Sequence, residues 1–549
     1  MHESTGLQLR SLHFRARSSA VLLCVLVICS CGGGGGSSNS GATAPPVPVS
    51  QQPPADPAWV QGKYSAPSTY AAYCATPRTG SDPATGAPYP DQLGSSVWEN
   101  FWLRSWTNSY YLWYAEVTDI NPASETTVNY FKSMKTTALD PTGAPKDRFH
   151  FTYPTADWYA LSQSDRSVGY GATWAVVARS PPRQVYVAYT DPGTPATATN
   201  TSLQRGEKML LADGIDVVLA TDQTSIDKIN AALSPTKAGE THSFVFEEAD
   251  GSQRTITLTA TDIVSNPVQH VSTFVEPDGS VVGYMLFNDN LATAEGALYT
   301  AFKTLQGAAV NDLILDLRYN GGGYLDIASE AAYMIAGPGL TANQTFEKAL
   351  FNDKWQTLNP FTNQPISPTP FHATSQGIDP TLKVGTALPS LNLSRVYVLT
   401  LGGTCSASEA IINSLRGVGV TVIQIGSTTC GKPYAFYPDD NCGTTYFSIQ
   451  MKGVNNQGFG DYPDGFTPIN SPTAASASVS LPGCAVGDDF KHALGDPNEG
   501  LLAAALAYRA NGAAACPSAS GISLATVQRV PQVRRIEPMM IRLLRHQRP

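Results

Sequence analysis

The chain has 549 residues, 42% apolar and 14% charged, with 47 glycines and 40 prolines. That is enough apolar chain for several packed domains and excludes wholesale disorder. The net charge of −9 argues against nucleic acid as the main partner. So does its distribution, because the basic residues gather at the two ends. Arg10, Arg15 and Arg17 oppose only Glu3 at the start, and six arginines oppose only Glu537 from Arg529 onward, so the body between is acidic.

Residues 1–30 read as an export signal. A basic start is followed by the apolar run Ala20–Ile28, too short to span a bilayer. It ends in Ile-Cys-Ser-Cys-Gly, and the small residues before Cys31 predict cleavage there and lipid on that thiol. Acyl chains on one residue would anchor the chain without crossing the membrane. Gly32 in place of Asp points to the outer membrane, with the body facing the periplasm. The Gly-, Ser- and Pro-rich stretch 31–57 cannot bury a core and reads as a tether.

Residues 58–165 are rich in aromatics. Trp98, Phe101, Trp102, Trp106 and Tyr110 recur at helical spacing, which predicts an amphipathic helix packed through its aromatic face. Shorter helices are predicted at Phe131–Thr137 and Trp158–Gln163. From 166 to 265 the pattern changes to short β-rich runs, Ala172–Ala178, Gln184–Tyr189, Lys208–Leu211, Ser243–Glu247 and Arg254–Thr259, with one helix at Ser225–Leu233. This reads as a small β-domain.

Residues 266–515 alternate strand and helix. The strands are Val281–Phe287, Asp312–Leu317, Arg395–Leu401 and Val420–Ile425, and the helices Ala292–Leu305, Leu325–Ile335 and Ser406–Leu415, with an irregular insertion over 337–394. Alternation predicts an α/β core with parallel strands. Sites in such sheets lie at the carboxyl ends of the strands, so Asn320–Gly323, Thr404–Ser406 and Thr428–Lys432 are expected on one rim. The basic end, 516–549, reads as a disordered tail.

Of nine cysteines, six lie in the body, and an exported compartment permits disulfides. The short loop between Cys430 and Cys442 makes them the expected pair; Cys405 is open to being a buried thiol.

Several of these residues suit acyl-transfer chemistry. Ser406 opens a helix in Gly-Gly-Thr-Cys-Ser-Ala-Ser-Glu-Ala, with Glu409 placed for a capping box. A serine there also meets oriented N–H groups and the positive end of a helix dipole, which favour a nucleophile whose attack creates an oxyanion. Lys432 follows the next strand, and a desolvated lysine can act as general base. Gly426–Lys432 resembles a phosphate loop, but Pro433 stands where Ser or Thr would hold magnesium. Asp316–Gly323 carries three glycines whose N–H groups could approach a ligand closely. The eight histidines show no metal spacing, and neither a metal nor another cofactor is expected. Asp488, Asp489 and His492 suggest a helix start, with a Ser406–His492 pair as a minor mechanistic alternative.

Taken in order, Asp316–Gly323, Ser406–Glu409 and Gly431–Lys432 resemble the core pattern of the C-terminal-processing, or tail-specific, serine peptidases. The resemblance implies a fold related to Clp protease and crotonase: an α/β core within a multidomain α+β chain, a preceding PDZ-like domain and an N-terminal helical segment. It implies Ser406 as nucleophile, Lys432 as general base, and an oxyanion hole built from Ala407 and a glycine of Gly321–Gly322. Gly169, Tyr170 and Gly171 then resemble a carboxylate-binding loop, and Leu203–Gly214 a PDZ strand and turn; a PDZ groove takes a peptide as an added strand. The sequence departs from the pattern at Phe436, where many members carry Gln, and at Gly417, where some carry Asp. Cys405 and Cys430, beside both catalytic positions, suggest an exported subgroup with a disulfide near the site. The implied function is a membrane-anchored endopeptidase of exported proteins or peptides. The alternatives are a non-catalytic peptide-binding protein of the same fold, motivated by Phe436, and a crotonase-like site for another acyl substrate.

Overall fold

Val281–Phe287, Asp312–Asp316, Arg395–Thr400 and Thr421–Gly426 are nearly continuous apolar runs, which suits strands covered on both faces. A computed structural model describes residues 52–518, apart from 83–85, 141–142, 165 and 472–477, together with Arg542–Leu543. The export signal, Cys31 and most of the tether and basic tail lie outside the described residues. Among the described residues no helix is long and apolar enough to cross a membrane.

The four runs form the centre of a six-stranded sheet. Its order is β1 (Val268–Val275), β2 (Val281–Phe287), β3 (Asp312–Asp316), β4 (Arg395–Thr400), β5 (Thr421–Gly426) and β6 (Gly483–Ala485). β1 and β2 are antiparallel and every later pairing is parallel. Side chains alternate across the sheet, as a period of two requires. Met285, Leu313, Leu315, Val396, Val398 and Val422 face helices α1 (Ala294–Gly307), α2 (Leu325–Ala336) and α3 (Ala407–Gly417). Tyr284, Leu286, Ile314, Tyr397, Ile423 and Ile425 face α4 (Gly500–Asn511).

Residues 166–264 form a PDZ-like β-domain. Arg166–Gly169 pairs antiparallel with Thr261–Val264, bringing its entry and exit together. Between them the strands lie in the order 253–259, 241–247, 208–212, 184–190 and 172–178, leaving Ala172–Ala178 at an edge. The helix Gln223–Leu233 is tied to that edge through Trp174, whose indole N–H donates to the Leu233 carbonyl.

The aromatic region behaves as its spacing predicts, forming the helix Ser96–Tyr110, capped by the Ser95 hydroxyl. Trp102 and Trp106 pack on Tyr446, and the Trp106 indole donates to Asp439 at 2.7 Å. The second helix is Thr127–Ser133, earlier than expected, with Thr126 as its cap. Phe151–Pro154 pairs with Thr444–Phe447, so this segment builds a wall of the core.

Residues 337–394 are not wholly irregular. Thr345–Phe351 pairs with Met451–Val454, which also pairs with Tyr434–Ala435 just past Lys432. Alternation alone could not reveal this, because the partner strands lie a hundred residues downstream.

The cysteine expectation needs correction. The disulfides are Cys74–Cys442, Cys405–Cys430 and Cys484–Cys516. Cys442 sits at a hairpin turn facing the N-terminal segment, whereas Cys430 ends a rim loop against Cys405. Loop length ranks pairings only when the fold leaves the choice open, and here it does not. Cys405 is therefore no free thiol, and Cys516 belongs to the folded body.

Candidate active site

Three loops leave the carboxyl ends of β3, β4 and β5 on one rim. The loops are laced by backbone bonds: Cys405 N–H donates to the Asn320 carbonyl at 3.1 Å, and Cys430 N–H to the Thr404 carbonyl at 3.0 Å. The Thr404 hydroxyl donates to the Leu317 carbonyl and the Ser408 hydroxyl to that of Asn320. The Cys405–Cys430 disulfide bridges the second and third loops beside Ser406 and Lys432.

Ser406 stands at the turn into α3 with φ 61° and ψ −112°, a left-handed conformation costly for a residue with a Cβ and common at functional turns. It is fully buried, and its Oγ has no hydrogen-bond partner. Lys432 is also fully buried. Its Nζ lies 4.2 Å from the centre of the Phe436 ring and 4.9 Å from that of Phe149. Phe436 thus fills the departure position with an aromatic face.

Glu409 holds the two loops together. Its Oε2 accepts Ser406 N–H at 3.0 Å and Lys432 N–H at 2.8 Å; its Oε1 accepts Gly431 N–H at 2.9 Å and the Thr429 hydroxyl at 2.5 Å. The carboxylate half of the expected capping box is therefore present, and it reaches further than a cap. Burial pushes the Glu409 pKa up, opposed by the Thr429 hydroxyl and the three backbone N–H groups. Gly431, at φ 78°, lies so close to the Pro463 carbonyl that a side chain would collide with it.

Gly322 has φ 110°, and a Cβ there would lie 2.8 Å from Ser406 Cβ and 3.0 Å from Ala407 N. The glycine loop therefore passes directly over Ser406. Gly322 N–H is engaged by Asn320 Oδ1 at 2.9 Å, and the Gly322 carbonyl accepts Asn290 N–H at 3.0 Å. Of the expected oxyanion donors, Gly321 and Ala407 lie buried in this loop and at the helix start, while Gly322 holds the loop's shape. Asn290, joined to Asn320 by its side-chain amide at 3.0 Å, escaped the sequence reading because it lies in an unrelated loop after β2.

Arg318 of the same motif is fully buried. It forks onto Glu499 at 2.6 and 2.9 Å, and reaches Asp316 and Asp488 at 3.0 Å. Asp488 also accepts from the Tyr319 hydroxyl at 2.6 Å and from Arg205 of the PDZ-like domain at 2.7 Å. Burial pushes the Asp488 pKa up, but Arg205 and Arg318 outweigh it and hold the carboxyl below its usual range. His492 instead bonds Asp489 at 2.6 Å and is 41% exposed in its side chain. The Ser406–His492 pair is not formed.

Cys405, Glu409 and Cys430 gather within 4.8 Å, but disulfide sulfurs offer no thiolate to a metal. In the PDZ-like domain, Gly169 ends the entry strand, and Gly171, at φ 74°, packs on Thr194. Tyr170 is buried, with its hydroxyl donating to the Ala232 carbonyl. The three residues immediately precede the edge strand Ala172–Ala178.

Residues 281–435, which carry all three rim loops, match the model of Peptidase family S41. The chain carries a peptidase family S41 domain. It is also 24% identical over 241 residues to a carboxyl-terminal-processing protease from Picosynechococcus, covering 44% of this chain. The chain spans about half (49%) of that curated relative's length. A solved structure from Bacteroides fragilis, assigned to the S41 proteases, is similar at 23% identity and a TM-score of 0.53, over 77% of this chain and 98% of that one. The PDZ domain of a carboxy-terminal protease from Vibrio cholerae aligns at 17% identity and a TM-score of 0.14, over 18% of this chain and 97% of that domain. The S41 match thus spans β2 to β5 and the three rim loops.

Proposed function

We propose that this chain is a serine endopeptidase with a Ser406–Lys432 mechanism. Lys432 Nζ takes the Ser406 hydroxyl proton as Oγ bonds to the carbonyl carbon of a peptide bond. The Gly321 and Ala407 N–H groups receive the developing oxyanion. The C–N bond breaks, the proton passes from Lys432 to the leaving amine, and water then hydrolyses the acyl-enzyme. The observation that carries this reading is Glu409, one buried carboxylate that takes the backbone N–H of both Ser406 and Lys432 on the same oxygen.

The PDZ-like domain would bind C-terminal tails as an added strand along Ala172–Ala178, with the Gly169–Gly171 loop at the carboxylate. Three disulfides favour an oxidising compartment. With the Cys31 signal they support a lipid-anchored protein facing the periplasm.

A second reading, a non-catalytic peptide binder, is favoured by the Phe436 ring beside Lys432 Nζ. Intact-mass spectrometry after exposure to a fluorophosphonate, paired with cleavage of an unstructured peptide, separates the two. The peptidase reading expects turnover, and an adduct at Ser406, both lost in Ser406→Ala and Lys432→Ala. Peptide binding with no turnover and no adduct in the wild-type chain would favour the binder.

A further inference from the structure

Two aromatic rings wall Lys432, and one of them comes from outside the core. Phe436, just past the strand Tyr434–Ala435, sets its ring centre 4.2 Å from Nζ. The other ring, 4.9 Å from Nζ, belongs to Phe149 of the N-terminal region. The segment that carries Phe149 is pinned on each side. Asp147 accepts the Tyr111 hydroxyl at 2.7 Å and the Phe149 N–H at 2.9 Å. Arg148 donates to the Pro463 carbonyl at 2.6 Å, the same carbonyl that lies against Gly431. The His150 ring stacks on Phe131 with centroids 3.8 Å apart. Phe149 itself is buried in one cluster with Phe436, Phe447 and Cys405.

Two properties of a general base depend on such a wall. A lysine stem is flexible, so its nitrogen points at one atom only where packing holds it. A base must also start uncharged, and burial away from water disfavours an ammonium. A ring face attracts an ammonium by the equivalent of about one pH unit. Full desolvation acts the other way, by up to about 3–5, so the rings on balance favour the neutral amine. We propose that Phe149 is a positioning residue for Lys432: with Phe436 it holds Nζ in place for Ser406 and keeps water from it, so that the N-terminal region completes the active site. This deepens the Ser406–Lys432 reading and rests on it. The titratable and charged groups packed around the wall are Asp147, Arg148 and His150 on the same segment, Glu409 on α3, and Tyr434 and Tyr462 beside the rim. Burial pushes His150 down to about 4 and raises Glu409 and both tyrosines. A neutral base is lost as pH falls through its pKa, so admitting water to Nζ moves the acid limb of activity to higher pH.

The test uses the full chain. The pH dependence of kcat for cleavage of an unstructured reporter peptide is compared between wild type, Phe149→Ala and Phe149→Leu. Phe149→Ala is expected to move the acid limb up by about one pH unit or more, and so to lower kcat about tenfold on the acid side. KM should stay nearly unchanged and kcat should recover on the alkaline side. Phe149→Leu, which still excludes water, should keep the limb near that of wild type. A limb that stays or moves down in Phe149→Ala, a loss carried by KM, or Phe149→Leu behaving as Phe149→Ala overturns the proposal. If circular dichroism shows that Phe149→Ala does not fold, Phe149→Gln carries the same expectation, since it fills more of the volume and brings an amide oxygen to Nζ. Competitive acetylation by acetic anhydride across pH, read at Lys432 by peptide mass spectrometry, needs no turnover. Its midpoint is expected to rise in Phe149→Ala and not in Phe149→Leu; equal midpoints in all three proteins overturn the proposal. If wild type does not cleave, the peptidase reading fails while the acetylation still decides what Phe149 does to Lys432.

Discussion

Glu409 shows how much one side chain can organise. A helix N3 glutamate ordinarily reaches back to its own N-cap. Here burial beneath the third rim loop gives it four donors, from Ser406, Thr429, Gly431 and Lys432. Glu409→Gln would turn an amide N–H toward one of these pairs and leave two buried donors unsatisfied, at about 1–3 kcal/mol each. The expected outcome is a stability loss of about 2–6 kcal/mol in chemical denaturation. The same variant should lower kcat far more than it raises KM, because substrate contacts stay in place while Ser406 and Lys432 lose their common anchor. An equal loss in a variant at a distant buried acid, such as Glu330, would reduce Glu409 to a structural role.

At the scale of elements, the rim depends on three parallel strands ending together and on the bonds that lace their loops. Cys405 and Cys430 close a loop with a sequence separation of 25, which in the chain-entropy account stabilises by about 3 kcal/mol. Replacing both by Ser, or reducing the protein, should therefore lower the unfolding free energy by about that amount. On the proposed mechanism, activity should fall further than the change in folded fraction explains, since this crosslink adjoins both Ser406 and Lys432. The insertion is secured separately. Glu295 accepts the N–H groups of Gln376, Gly377 and Asp379, and Glu330 bonds Glu295, its carboxyl pushed up to about 10 by burial and by that neighbour. Glu330 is thus protonated at neutral pH, and the pair acts as one hydrogen-bonded unit under the 337–394 segment.

Across the molecule, Asp488 links the β-domain of residues 166–264 to the loop after β3, taking Arg205 from one side and Arg318 and Tyr319 from the other. Its folded pKa is depressed below the ordinary 3.8. A depressed carboxyl contributes stability above its unfolded pKa and loses it as pH falls toward the folded value. Asp488→Asn should thus be less stable than wild type at pH 7, and the gap should close on acidification below about pH 4. A gap independent of pH between 7 and 3 would mean that the charge of Asp488 contributes nothing. The same network explains why Arg318 is present at all: a fully buried guanidinium is tolerated only when Asp316, Glu499 and Asp488 answer it.

What the sequence by itself determined was the alternating core, because a parallel sheet leaves apolar runs and helix periods that any reader can find. It also marked Ser406, Lys432 and the glycine loop, because backbone geometry at a helix start or a tight turn demands particular residues at short range. The tertiary structure alone decided the rest. Cysteine pairing followed from which loops met on the rim and at the 439–447 hairpin, not from loop length. The roles of Glu409, Asn290 and Asp488 and the strand hidden in 337–394 all join residues far apart in the chain. Contacts of that kind leave no local period or spacing; they exist only once the sheet has brought its ends together.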